Sequence, residues 1–164
     1  MKILISSCLL GEDVRYDAEN SSVAYNPNFS FALKELFMDI LCDNEIYSFC
    51  PEVQGGLSTP RDPAEITSST KPFRVETINN EDVTINFLVG AKKALDLCLE
   101  EKIKVALLKA KSPSCGNIEI YDGTFSNNLV EGQGMTARLL NENGITVFNE
   151  NQLRELKQFI KTNS

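Results

Sequence analysis

Four short apolar runs, separated by segments with a helical apolar period, place the strongest constraint on how this sequence can fold. They are Lys2–Ser6, Glu45–Phe49, Val105–Leu108 and Ile145–Phe148. Runs this short, bounded by turn residues, suit buried strands. Cys50-Pro51 ends the second, because proline cannot donate to a sheet ladder. Behind the first run, Phe29, Leu33, Leu36, Phe37, Ile40 and Leu41 recur at helical spacing, with Asn28 or Ser30 as the cap. Thr84 caps a second helix running to about Glu100, with Phe87, Leu88, Ala91, Ala94, Leu95 and Cys98 on one face. Gly132-Gln133-Gly134 opens a third, which Gly144 closes. Asn149 or Asn151 caps the last, with Leu153, Leu156, Phe159 and Ile160 inward. Strands alternating with helices predict an α/β fold, a small three-layer sandwich around a mostly parallel, Rossmann-like sheet. Sheets of this kind take ligands at the carboxyl ends of their strands.

The rest of the chain lacks these periods. Val53–Lys71 holds Gly55, Gly56, Pro60 and Pro63 among many hydroxyls, and reads as a long loop over a site. Phe73–Ile78 reads as a strand without an evident partner. Asn117–Asn128 reads as a loop or hairpin turning at Asp122-Gly123. The length fits one domain over residues 1–164.

Composition removes several kinds of chemistry. The chain has no histidine, so Ser-His and Cys-His nucleophiles and His-ligated metal sites are excluded. Its 16 basic and 23 acidic residues leave a net charge of −7, which opposes sequence-independent nucleic-acid binding. No apolar run approaches the ~18 residues that span a bilayer. Ile3-Leu4-Ile5 before Ser6-Ser7-Cys8 mimics a lipoprotein cleavage site, but falls short of the roughly 7–15 apolar residues of a signal core. A cytoplasmic location is therefore expected.

Five cysteines, an odd number, suit thiols or metal ligands better than a disulfide framework. Cys8 follows the first strand, Cys50 the second and Cys115 the third. In a parallel sheet those ends share one edge, so the three thiols can converge. Cys98, on a helix's apolar face, and Cys42, at a helix end, read as packing residues. Three convergent thiolates without histidine suit zinc with a water, or an iron–sulfur cluster with one open iron. A hydrolytic zinc enzyme, a cluster or metal carrier, and a structural protein with a vestigial site all remain open on these residues alone.

The strings around these cysteines are more specific. Ser6-Ser7-Cys8-Leu9-Leu10-Gly11 with Arg15-Tyr16-Asp17 is the first. Cys50-Pro51-Glu52 with Gly55-Gly56-Leu57 and Thr59-Pro60-Arg61 is the second. Ser112-Pro113-Ser114-Cys115-Gly116, with Tyr121–Phe125 and Gly132–Thr136, is the third. In this order, over nearly the whole chain, they resemble the bacterial 2-thiouracil desulfurase family. The resemblance implies a [4Fe-4S] cluster on Cys8, Cys50 and Cys115 with its fourth iron free, and removal of sulfur from a small thiolated nucleobase or nucleoside. It implies acid/base and supporting roles for Glu52 and Ser112. Two positions depart from the family pattern: Val14 stands where many relatives carry cysteine, and Ala18 where many carry glycine.

Expected substrate contacts are Ser7, beside Cys8, and Arg61, which can hold a substrate oxygen or instead pair with Asp62. Gly132 and Gly134 at a helix start can form an amide cradle for an anion, or simply begin the helix. Tyr121 and Phe125 can wall the pocket or join the core.

Overall fold

The computed structural model describes residues 1–163. Its centre is a four-stranded parallel sheet of β1 (Lys2–Ser6), β2 (Glu45–Phe49), β5 (Val105–Leu108) and β8 (Thr146–Asn149), in the order β2-β1-β5-β8. All three pairings are parallel, with Ile5 opposite Ser48 on one side and Leu107 on the other. Between them in sequence lie α1 (Phe31–Asp43), α2 (Pro51–Gln54), α3 (Thr84–Glu100) and α4 (Met135–Glu142), and α5 (Leu153–Asn163) follows β8.

The period-two alternation of the strands divides the core into two layers. Ile3, Ile5, Val105 and Leu107 pack with Phe37 and Ile40 of α1 and Leu153, Leu156 and Ile160 of α5. Leu4, Ala106, Leu108 and Val147 pack with Ala94, Leu95 and Cys98 of α3 and Ala137 and Leu140 of α4. The result is the expected three-layer α/β sandwich. No described helix is long and apolar enough to cross a membrane.

Two antiparallel hairpins lie outside that sheet. One joins β3 (Ala64–Ser68) to β4 (Arg74–Thr77), and the other joins β6 (Glu119–Tyr121) to β7 (Leu129–Glu131). Ile66, Val75, Val83, Phe87, Ile120 and Met135 form the small core beneath them. The segment 53–71, expected as a structureless loop, thus contains the end of α2 and all of β3, and β4 finds its partner there. The reason is tertiary: hairpin pairing and the shared core replace the apolar alternation that β3 lacks.

Smaller corrections concern helix ends and faces. Ser30 caps α1 by accepting from the Leu33 amide at 3.3 Å. Thr84 is the first helical residue rather than the cap; its hydroxyl accepts from the Val75 amide at 2.9 Å and donates to Asp82 at 2.6 Å. Leu88 turns outward and is exposed, because the buried stripe runs through Phe87, Ala91, Ala94, Leu95 and Cys98. Cys42 is also exposed, since it falls one position past the buried side of α1, whereas Cys98 is buried as expected.

Candidate active site

The carboxyl ends of β1, β2 and β5 open into one cavity of about 320 Å³, within the usual range for small-ligand sites. Cys8, in the 3-10 turn Ser7–Leu10, Cys50, just before α2, and Cys115, in the loop after β5, all line it. Burial pushes the Cys8 and Cys115 thiols each up to about 12, and raises Cys50 as well. The neighbouring thiol of Cys115 raises Cys8 further, and Lys109 opposes this. A metal centre would supply the positive charge that three buried thiolates need, displacing their protons as it binds. The donor set therefore fits a thiophilic metal group. Among the described residues, however, no three Cys, Asp or Glu side chains are gathered closely enough to hold one ion. A single zinc would need its thiolates within about 2.3 Å of one point. Thiols spread around a cavity instead suit a cluster that takes one sulfur per iron.

Hydroxyls surround Cys115. Its Sγ accepts from Ser6 Oγ and from Ser114 Oγ, both at 3.6 Å. Ser6 Oγ also accepts from the Lys109 amide at 3.0 Å, tying β1 to the end of β5. Ser114 Oγ lies 2.8 Å from Glu52 Oε2. Its one proton can serve the Glu52 carboxylate or the Cys115 sulfur, so it links the two.

Pro51 at the start of α2 fixes the chain entering the helix, which puts Glu52 on the cavity wall. Glu52 Oε1 meets Arg61 Nε at 3.3 Å. The Arg61 side chain is 8% exposed and spends three more donors on the carbonyls of Ser58 and Val14 and on Thr59 Oγ1. It pairs with Glu52 rather than Asp62, and of its five N–H donors only one, on Nη2, has no acceptor among the described residues. Its geometry is that of a brace for the carboxylate.

Ser112 Oγ accepts from the amides of Ser114 and Cys115, both at 3.2 Å, and bonds Ser114 Oγ at 2.9 Å. It shapes the thiol loop and reaches Glu52 only through Ser114. Ser7 lines the cavity, but its Oγ is joined to Ser48 Oγ of β2 at 2.8 Å. Gly132 and Gly134 are not on the cavity wall. Their amides donate to the carbonyls of Ile118, at 3.0 Å, and Gly116, at 2.7 Å, so no anion cradle forms. Gly134 serves close packing instead: a Cβ there would sit 2.5 Å from the Ser114 carbonyl carbon. Tyr121 lines the cavity, and Phe125 does not.

Ser6, Ser114, Glu65 and Lys109 also line the cavity, and sequence reasoning assigns none of them a role. For Ser114 the signal was adjacency to Cys115. Glu65 and Lys109 carry no local signal.

A match to the family model described as 2-thiouracil desulfurase spans residues 3–152. The chain belongs to the 2-thiouracil desulfurase family. "Uncharacterized protein YbbK" of Bacillus subtilis (strain 168) is 38% identical over 160 residues, covering 94% of this chain and 99% of its own. The solved structure of the [4Fe-4S]-dependent thiouracil desulfidase TudS is 43% identical, with a TM-score of 0.84 over 98% of both chains. The fold of TudS and the fold of this chain are therefore the same.

Proposed function

We propose that this chain is a [4Fe-4S]-dependent desulfurase that converts 2-thiouracil and water to uracil and hydrogen sulfide. The observation that carries the reading is the chain of contacts from Glu52 through Ser114 to Cys115, in a cavity that Cys8 and Cys50 also line. The three cysteines would hold the cluster. When bound, it supplies an open iron, a Lewis acid that attracts the thiocarbonyl sulfur and leaves its carbon more electrophilic. A zinc hydrolase is the weaker reading, because the thiols do not gather around one point.

Glu52 acts as the general base in this reading. It takes a proton from water as a C–O bond forms at the thiocarbonyl carbon, and returns one to the sulfur as the C–S bond breaks. No electron changes hands. Arg61 holds Oε1, and Ser114 holds Oε2, so the carboxylate needs no reorganisation as the proton moves. Ser112 acts at one remove, by fixing the loop that presents Ser114 and Cys115. A free base or nucleoside suits this cavity and the net charge of −7 better than a long RNA. Three thiols facing an open cavity also need a reducing compartment, which supports the cytoplasm.

Anaerobic reconstitution is expected to give a brown protein with about four irons per chain, releasing sulfide and uracil in equal amounts from 2-thiouracil. Glu52→Gln should keep the iron while kcat falls about 10²–10⁴-fold. A colourless protein, or a loaded one that forms no uracil, would end this reading. An unchanged kcat in Glu52→Gln would remove Glu52 from it.

A further inference from the structure

The charged groups on the cavity wall nearly all have an ion-pair partner. Arg61 pairs with Glu52, Arg15 with Asp17 at 3.2 Å, and Lys109 with Glu150 at 2.5 Å; Lys111 lies 3.8 Å from Glu119. Glu65 is different. It lines the same cavity from β3, is only 8% exposed, and has no ion-pair partner among the described residues. Its neighbour Ile66 packs into the core beneath the hairpins, so the strand's alternation sends Glu65 the other way.

The two oxygens of Glu65 are not equivalent. Oε1 accepts from the amides of Gly123, at 3.0 Å, and Phe125, at 3.2 Å, capping the tip of the β6–β7 hairpin. Oε2 accepts from no described residue. It is not sealed in either, because Thr136 Oγ1 and Arg138 Nε are the only described side-chain atoms both buried and unpartnered. Oε2 therefore keeps some accessible surface on a residue that lines the cavity. A carboxylate oxygen with no protein donor, on a side chain more than nine-tenths buried in a cavity wall, calls for a donor from the ligand.

We propose that Glu65 determines specificity by accepting a hydrogen bond from a ring N–H of the substrate through Oε2. The assignment rests on the desulfurase reading and sharpens it. A thiocarbonyl flanked by ring N–H groups, as in 2-thiouracil, offers donors beside the sulfur. Thiocarbonyl compounds with oxygen or sulfur in those positions offer none, and would leave Oε2 unpaired. The hairpin tip locks Oε1, so the recognising oxygen is aimed before substrate arrives, and binding need not order it.

The test compares 2-thiouracil with its N1-methyl and N3-methyl derivatives on the loaded wild type and on E65Q. Glutamine keeps an oxygen for the two hairpin amides and turns a donor toward the cavity. Expected for the wild type is a KM raised about 10–100-fold for one methylated base, with kcat changed far less. E65Q should lose the same factor on 2-thiouracil and almost nothing more on that methylated base. Equal KM values for all three bases on the wild type overturn the assignment, and do so even where E65Q fails to fold, which its melting curve reports. A folded E65Q with the wild-type KM for 2-thiouracil also overturns it. Should the loaded wild type release no sulfide at all, the desulfurase reading fails by itself. Titration of uracil into the same loaded proteins then decides: a Kd raised about tenfold or more in E65Q supports Glu65 as the reader of the ring N–H, and an equal Kd overturns it.

Discussion

The cavity has two walls built by different physics. One is the end of the parallel sheet, where Cys8, Cys50 and Cys115 follow β1, β2 and β5. The other is the cover, made of the β3–β4 and β6–β7 hairpins. At the sheet end, backbone pairing fixed by apolar register sets the thiol positions, and nothing local to a cysteine is needed. In the cover, single side-chain caps hold separate segments together. Glu65 binds a turn 58 residues away, and Arg61 binds the Val14 carbonyl 47 residues away. The sheet end thus offers the softer, inorganic half of the chemistry a rigid frame. The cover supplies polar groups that line the cavity. A change in the first should remove the cofactor; a change in the second should alter how substrate is held.

Cys115→Ser is the strongest way to break that division. The buried hydroxyl fits the space but is a poor ligand for iron, which prefers thiolate here. Iron per chain should drop after reconstitution, and sulfide release should fall to background. The far-ultraviolet circular dichroism should stay that of the wild type, because β5 and its neighbours keep their pairing. A Cys115→Ser protein that holds four irons and turns over would show that Cys115 is not a ligand.

Gly123→Ala strikes the other wall. Gly123 has a φ of +90°, and an added Cβ would lie 2.6 Å from the Ile66 carbonyl oxygen. Left-handed backbone and the clash together should cost about 2 kcal/mol or more, through strain at φ > 0 and overpacking. The hairpin tip would lift from β3 and release Glu65 Oε1. Expected is a full iron complement with a raised KM and a lower melting temperature. Loss of iron in this variant would show that the two walls are not separable.

The same contrast explains what the sequence made legible. Apolar runs of four or five residues and a 3.6-residue period state a parallel sheet and its flanking helices outright. The rule that such strands end on one edge then gathers Cys8, Cys50 and Cys115 without any family knowledge. The cover leaves no comparable trace. Ala64-Glu65-Ile66-Thr67-Ser68 has no run of alternating large apolar residues and follows Pro60 and Pro63, so its strand character comes from β4 and from the small core. Gly132-Gln133-Gly134 shows where amides are, but not that the carbonyls of Ile118 and Gly116 already occupy them. Arg61 reads as a partner for Asp62 or for a substrate oxygen until Glu52, Ser58, Thr59 and Val14 are seen around it. In each case the missing information is a partner distant in sequence.

The two cysteines outside the cavity give the smallest effects and test whether burial alone separates the roles. Cys98 is 1% exposed among Leu4, Ala94, Leu95 and Ile103, and burial pushes its thiol up to about 11. Cys42 faces solvent. Cys98→Ala should therefore leave a small void worth about 1 kcal/mol, seen as a lower melting temperature with normal iron and normal turnover. Cys42→Ser should stay within about 0.5 kcal/mol of the wild type. A thiol-alkylating reagent should label Cys42 in the native protein and spare Cys98, which is neutral and out of reach. If Cys42→Ser lowered iron content, a thiol on the outer end of α1 would be taking part in cluster loading, and the convergence of strand ends would no longer suffice to describe the thiol chemistry of this chain.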